Sequence, residues 1–250
     1  MKTKKKLIIG IALCLFSVVF VVSLYQIGSK LYEYEKNKKK YQSLSNEYIT
    51  VVPIEDTEQT KETVPISVDF DHLLDKNSDI IGWIYCANTP INYPVVQSDD
   101  NEFYLRRSLT GEYDIGGTIF MDYQSDSAIT DNNTVIYGHN MLNDTMFGTL
   151  VRYKKQPYYD EHPVLWYLTP QKKYKIELFS GFLSSSADGV YSNLNDPEKF
   201  RKQIEMALSN STFKSNVDTS DIQQIVTLST CSYEYDEARY ILLGKLTEIN

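Results

Sequence analysis

The sequence predicts a mostly-β fold of eight strands, a barrel or a sandwich with peripheral α-helices, preceded by an N-terminal transmembrane helix. Three observations lead there. Beyond residue 66, eight short apolar runs rich in β-branched and aromatic side chains are separated by Gly, Asn, Asp and Pro turn signals. Twenty Tyr and ten Phe side chains favour strands, and a 42% hydrophobic content is enough to fill a core. Near the start, the 21 residues 7–27 carry no charge at all.

That span, LIIGIALCLFSVVFVVSLYQI, is long enough to cross a hydrocarbon core of about 30 Å at 1.5 Å per residue. Its 14 Leu, Ile, Val and Phe residues favour insertion by about −4 to −8 kcal/mol. No Ala-x-Ala-like exit follows it, so an uncleaved anchor is expected rather than a signal peptide. Lys2, Lys4, Lys5 and Lys6 precede the span, but Lys30, Lys36, Lys38, Lys39 and Lys40 follow it. The count of flanking cations therefore does not choose an orientation. The expected arrangement is a cytoplasmic stretch at 1–6, a single-pass anchor at 7–27, a juxtamembrane helix and flexible stalk at 28–65, and an extracellular folded domain at 66–250.

Within the domain, Phe70, Leu73 and Leu74 predict a short helix ending near Asn77. Strands are expected at 80–86, 91–97, 117–122, 133–138, 162–169, 173–183, 223–231 and 238–246. A further short helix is expected at 146–153. Asp196 before Pro197 reads as a cap with proline at the first helical position, and Phe200, Ile204, Ala207 and Leu208 continue at helical spacing. A helix therefore lies in the link between the sixth and seventh strands.

Charge narrows the function. The net −8 divides unevenly: residues 1–40 hold nine Lys against two acidic residues, and residues 41–250 hold 16 cations against 31 carboxylates. So acidic a body is a poor nucleic-acid partner, since phosphate binding needs clustered cations. The cysteines are Cys14, Cys86 and Cys231, with no CxxC or His/Cys cluster, so neither a metal nor another cofactor is expected. Cys14 sits in the apolar span. Cys86 closes a strand with no basic neighbour and reads as a small core side chain.

The segment richest in chemistry is Thr227-Leu228-Ser229-Thr230-Cys231, followed by a turn and a strand that begins at Arg239. If these strands pair as a hairpin, the thiol and the guanidinium share one end of the sheet. That pair suits acyl transfer: sulfur attacks a carbonyl, and a permanent cation stabilises the oxyanion. A thiol also needs a proton partner. Of His72, His139 and His162, His139 ends a strand-like run where it meets a loop; His72 reads as a surface residue, and His162, before Pro163 at a strand start, as a local contact.

Thr-Leu-x-Thr-Cys at 227–231, an Arg eight positions later and a His closing a strand about 90 residues upstream resemble sortases, and more narrowly class B sortases. The resemblance covers residues 66–249 and includes GWI at 82–84, YPVVQ at 93–97, Asn101 to Leu105 and Ile119-Phe120-Met121-Asp122. A single N-terminal span without a C-terminal one also fits that class.

The resemblance implies an eight-stranded sortase-type β-barrel at the cell membrane of a Gram-positive bacterium. It implies a cysteine transpeptidase that cleaves the C-terminal sorting signal of secreted proteins after Thr. The enzyme then transfers the acyl group to an amine of a peptidoglycan precursor. Position by position, Cys231 is then the nucleophile, His139 the proton donor and acceptor, and Arg239 the oxyanion binder. Asn101, Leu105, Tyr137 and Ser229 match groove-lining positions. Ser232 stands where some relatives carry an acidic residue. Sorting-motif choice is expected to lie in the 185–222 link and in groove shape.

At pH 7 an ordinary thiol is roughly 3% thiolate and an ordinary imidazole about a quarter protonated, so the reactive ion pair is on the order of 1% populated. Arg239 favours the thiolate; Glu234, Asp236 and Glu237 oppose it. Slow turnover with a bell-shaped pH dependence is expected. Two rival readings remain: a membrane-anchored cysteine protease that uses water as acceptor, and a non-catalytic cell-wall-binding barrel.

Overall fold

All eight expected runs are strands, and they close into a barrel. The computed structural model describes residues 2–52, 63–185, 194 and 196–249. A small antiparallel pair, β1 (Ile49–Val51) and β2 (Ile66–Val68), precedes the barrel strands. These are β3 (Ile80–Tyr85), β4 (Asn92–Val96), β5 (Ile119–Met121), β6 (Asn133–Tyr137), β7 (Val164–Leu168), β8 (Lys173–Ser184), β9 (Ile225–Cys231) and β10 (Arg239–Ile249). Their order around the barrel is β10-β8-β7-β3-β4-β5-β6-β9, and β9 pairs with β10 to complete the ring. The barrel is thus the alternative realised. Closure removes both sheet edges, which a sandwich would have left exposed.

Two pairings are parallel, β4 with β5 and β6 with β9, and they set the geometry of one barrel mouth. In a parallel pair both strands leave the sheet at the same end, so the residues following β6 and β9 emerge together. Strand β9 is buried along almost its whole length, as expected where one face looks into the barrel and the other is covered. The cover is α4 (Pro197–Ser209), which lays Phe200, Ile204 and Ala207 on Phe179, Ile225 and Ile241. Each large apolar side chain buried this way contributes about 1.5–3 kcal/mol. Asp196 caps α4 as its sequence suggests, its carboxylate accepting from the backbone N–H groups of Glu198 and Lys199.

Three local expectations change. The 146–153 segment is not an α-helix. Met146 adopts a positive φ of 54°, which an α-helix cannot accommodate, and only a 3-10 turn forms at Leu150–Lys154. A helix that the sequence reading did not anticipate, α3 (Gln156–Glu161), follows directly with Pro157 in its first turn. The third change concerns the stalk. Helix α1 covers Lys2–Tyr48, and the compact unit that contains the barrel begins at Tyr41. Tyr41 is buried and donates its hydroxyl to the Gly117 carbonyl at 2.8 Å, while Tyr48 joins the core cluster of Ile66, Leu73 and Trp83. Tyr41, Leu44 and Tyr48 recur at helical spacing, so a polar-looking segment carries one apolar face. The middle of the expected stalk, 53–62, lies outside the described residues.

The first unit, residues 1–40, holds the uncharged span. Its helix is long and apolar enough to cross a membrane, with a mean hydropathy of 3.0 over its most apolar window. The short helix α2 (Phe70–Lys76) falls where expected, capped by Asp69 and ended at Asn77.

Candidate active site

The site forms where β6 and β9 leave the barrel and β10 enters it. In the antiparallel β9–β10 ladder, Cys231 and Arg239 are register partners, so their backbones face each other across one step of the sheet. In the parallel β6–β9 ladder, Tyr137 pairs with Ser229. The chain continues in step, the Gly138 N–H donating to the Ser229 carbonyl at 3.2 Å and the Thr230 hydroxyl to the Gly138 carbonyl at 2.8 Å. His139 therefore emerges beside Cys231. Because side chains on a strand alternate, Tyr137 and His139 share a face, and so do Ser229 and Cys231. The Asn140 amide donates to the Cys231 carbonyl at 2.9 Å and ties the two strand ends together.

A cavity of about 250 Å³ opens at this mouth, lined by Asn101, Leu105, Phe120, Tyr137, Gly138, His139, Ser229, Thr230, Cys231 and Arg239. All seven residues singled out in the sequence line it. Phe120, Gly138 and Thr230 had not been given a role, although Phe120 lies in a run already matched to the family. Its ring packs on Tyr137 with centroids 5.3 Å apart, forming the apolar floor.

His139 Nε2 lies 2.7 Å from the Leu105 carbonyl oxygen. A carbonyl only accepts, so Nε2 carries the proton and Nδ1 is left to exchange one. Burial pushes the imidazole below its ordinary pKa; the bond to Leu105 acts upward, while the Arg106 and Arg239 charges push further down. Arg106 is an influence that the sequence did not disclose, because it reaches the site from the 3-10 turn at Tyr104–Arg106. Arg239 makes no carboxylate pair among the described residues; its longer bonds reach only the carbonyls of Glu237 and Ala238. Its charge remains available to the cavity.

The acidic turn after Cys231 is partly neutralised. Glu234 is ion-paired with Lys154 and accepts from the Ser232 hydroxyl, and these two donors hold its carboxyl below the usual range. Lys154 also donates to Ser232 at 2.9 Å, so the first carboxylate of the turn is neutralised by a residue 80 positions earlier. The turn closes on itself through Ser232 N–H to Ala238 carbonyl, 2.8 Å.

The remaining thiols and imidazoles lie elsewhere. Cys86 is buried, with Sγ 3.8 Å from the Tyr153 hydroxyl, and burial pushes its thiol up to about 11. His72 pairs with Asp69 on the surface, and His162 packs edge-on against Tyr158. No cluster of three or more His, Cys, Asp or Glu able to hold a metal occurs among the described residues.

A family model described as the sortase domain matches residues 84–247. Sortase B of Listeria monocytogenes is 32% identical over 232 residues, covering 91% of this chain and 92% of that protein. A sortase B–substrate complex from Staphylococcus aureus superposes with a TM-score of 0.74 at 27% identity, covering 88% of this chain and all of that one. The Bacillus anthracis sortase B complex with AAEK1 gives the same TM-score at 29% identity and equal coverage. The chain belongs to the sortase family, the transpeptidases of cell-wall anchoring. Within that family its fold and relatives are those of class B.

Proposed function

We propose that this sortase uses Cys231 as its nucleophile, His139 as acid and base, and Arg239 as oxyanion binder, on the sorting signals of secreted proteins. The observation that carries the reading is the register itself: Cys231 opposite Arg239, with His139 emerging from the parallel neighbour strand, all three lining one cavity.

The Cys231 thiolate attacks the carbonyl of the threonine that ends the retained segment. The new C–S bond pushes electrons onto oxygen, where the Arg239 guanidinium donates to the developing charge. Collapse breaks the C–N bond, and the His139 imidazolium gives its proton to the departing amine. An amine of a peptidoglycan precursor then attacks the thioester, His139 takes its proton, and the C–S bond breaks to release the amide-linked protein and restore the Cys231 thiolate beside the His139 imidazolium. The apolar segment at 7–27 anchors the enzyme in the cell membrane, with residues 1–6 in the cytoplasm and the barrel outside, where substrates and acceptor meet.

Mass spectrometry of the enzyme incubated with internally quenched pentapeptides, threonine fixed before the scissile bond, tests the assignment. A thioacyl adduct on Cys231 that is converted to an amide by an added amine supports it. Adducts on Cys86, or release of hydrolysed product alone in the presence of saturating amine, would overturn it; the latter is the outcome for a cysteine protease. Protection of the N-terminal tail and digestion of the barrel by external protease, in intact cells, checks the orientation.

A further inference from the structure

Directly after β5, Asp122 carries a carboxylate that is 6% exposed and has no Lys, Arg or His pair among the described residues. Three donors surround it instead. Oδ2 accepts from the Tyr137 hydroxyl at 2.9 Å and from the Asn101 amide nitrogen at 3.0 Å, and Oδ1 accepts from the Gln124 N–H at 2.9 Å. Tyr137 and Asn101 both line the cavity beside Cys231; Asp122 itself does not.

We infer that Asp122 is a positioning residue that sets the hydrogen-bond polarity of the substrate groove, making Tyr137 an acceptor and Asn101 a donor toward the bound peptide. This rests on the proposed action on peptides at the Cys231 cavity. The argument is one of proton counting. A carboxylate only accepts, so the single Tyr137 hydrogen is committed to it and only oxygen lone pairs remain for the groove. Burial and the Asp122 charge push the Tyr137 phenol upward, so it keeps that hydrogen. The Asn101 amide is pinned from both ends. Its nitrogen must face Asp122, and its oxygen must face the Tyr123 N–H, 3.1 Å away, because that group only donates. One Asn101 N–H is left over. The groove therefore offers one fixed donor and one fixed acceptor, the complement of an extended peptide's alternating C=O and N–H groups.

Asp122→Asn tests this with almost no change of shape. The Gln124 N–H holds the new amide oxygen at the Oδ1 position, so an NH₂ group replaces Oδ2 and faces Tyr137. Tyr137 must then accept and turn its hydrogen into the groove, and the Asn101 amide meets a donor where it had an acceptor. The readout is a scan of single amide-to-ester replacements along the best threonine-containing pentapeptide found with the wild-type enzyme. An ester removes one peptide N–H. At one backbone position the ester raises KM about tenfold in the wild type, the worth of a single hydrogen bond. In Asp122→Asn that penalty disappears, while iodoacetamide alkylates Cys231 at the wild-type rate. Tyr137→Phe, which deletes the acceptor, erases the same penalty and serves if Asp122→Asn does not fold. An ester profile in both variants identical to wild type overturns the inference while leaving the catalytic assignment intact. Failure of the wild type to form a thioacyl adduct with any peptide overturns the underlying reading, and this inference with it.

Discussion

Cys86 and Cys231 stand at comparable places in the chain, each at the C-terminal end of a barrel strand, yet their surroundings oppose one another. Cys86 follows β3 and is sealed beneath the Tyr153 hydroxyl and the Val164 carbonyl, with burial raising its thiol to about 11. Cys231 ends β9, half-exposed, with a register-paired guanidinium on one side and an imidazole arriving on the other. Both are single thiols in strand-rich sequence. What separates them is which strands lie alongside: β9 has a parallel neighbour that delivers His139 and an antiparallel one that starts with Arg239. On the proposed assignment, topology more than residue type sets the two thiols apart.

Substitutions can break or sharpen this contrast. The largest effect is expected at Cys231→Ala, which reduces thioacyl formation to background by mass spectrometry. Adduct formation persisting in that variant would erase the difference between the two thiols. Next, Arg239→Ala lowers kcat/KM about 10²–10³-fold, the usual effect of losing an oxyanion donor, and Arg239→Lys restores only part because a point cation lacks the planar fork. Equal rates for Lys and Arg would show that charge alone suffices. Cys86→Ala leaves turnover within about twofold and lowers stability by about 1–2 kcal/mol through the small void it creates, visible as a drop in Tm.

The smallest expected effect is on pH. Burial and the Arg106 and Arg239 charges depress His139, so the acid limb of the kcat/KM profile lies below the ordinary imidazole value of about 6.5. Removing a cation restores proton affinity, so Arg106→Gln moves that limb upward. A downward shift would contradict the electrostatic sign.

Much of the architecture was legible because strand signals are local. The eight runs carry their own alternation and turn residues, and Asp196-Pro197 announces α4 unaided. The three residues proposed for catalysis were also readable, each marking the end or start of a strand. Other features depend on contacts that no local pattern encodes. The choice of barrel over sandwich rests on β9 pairing with both β6 and β10. Tyr41 looked like part of a stalk because its burial depends on Gly117 and Thr118, more than 70 positions away. The expected helix at 146–153 failed on one backbone conformation, at Met146, that its residue type does not favour. Asp122 was visible only as one letter of a matched run; its importance lies in Asn101 and Tyr137 reaching it from separate elements. Part of the 185–222 link, expected to choose the sorting motif, lies outside the described residues at 186–193 and 195.

The parallel β6–β9 seam also bears on when the proposed site assembles. Positions 139 and 231 are 92 residues apart, and nothing in either local segment brings them together. Their meeting requires the chain between them to fold into β7, β8 and α4 and return, a non-local closure of the kind that folds slowly. On the proposed assignment, the thiol and the imidazole therefore meet only once the β6–β9 seam has formed.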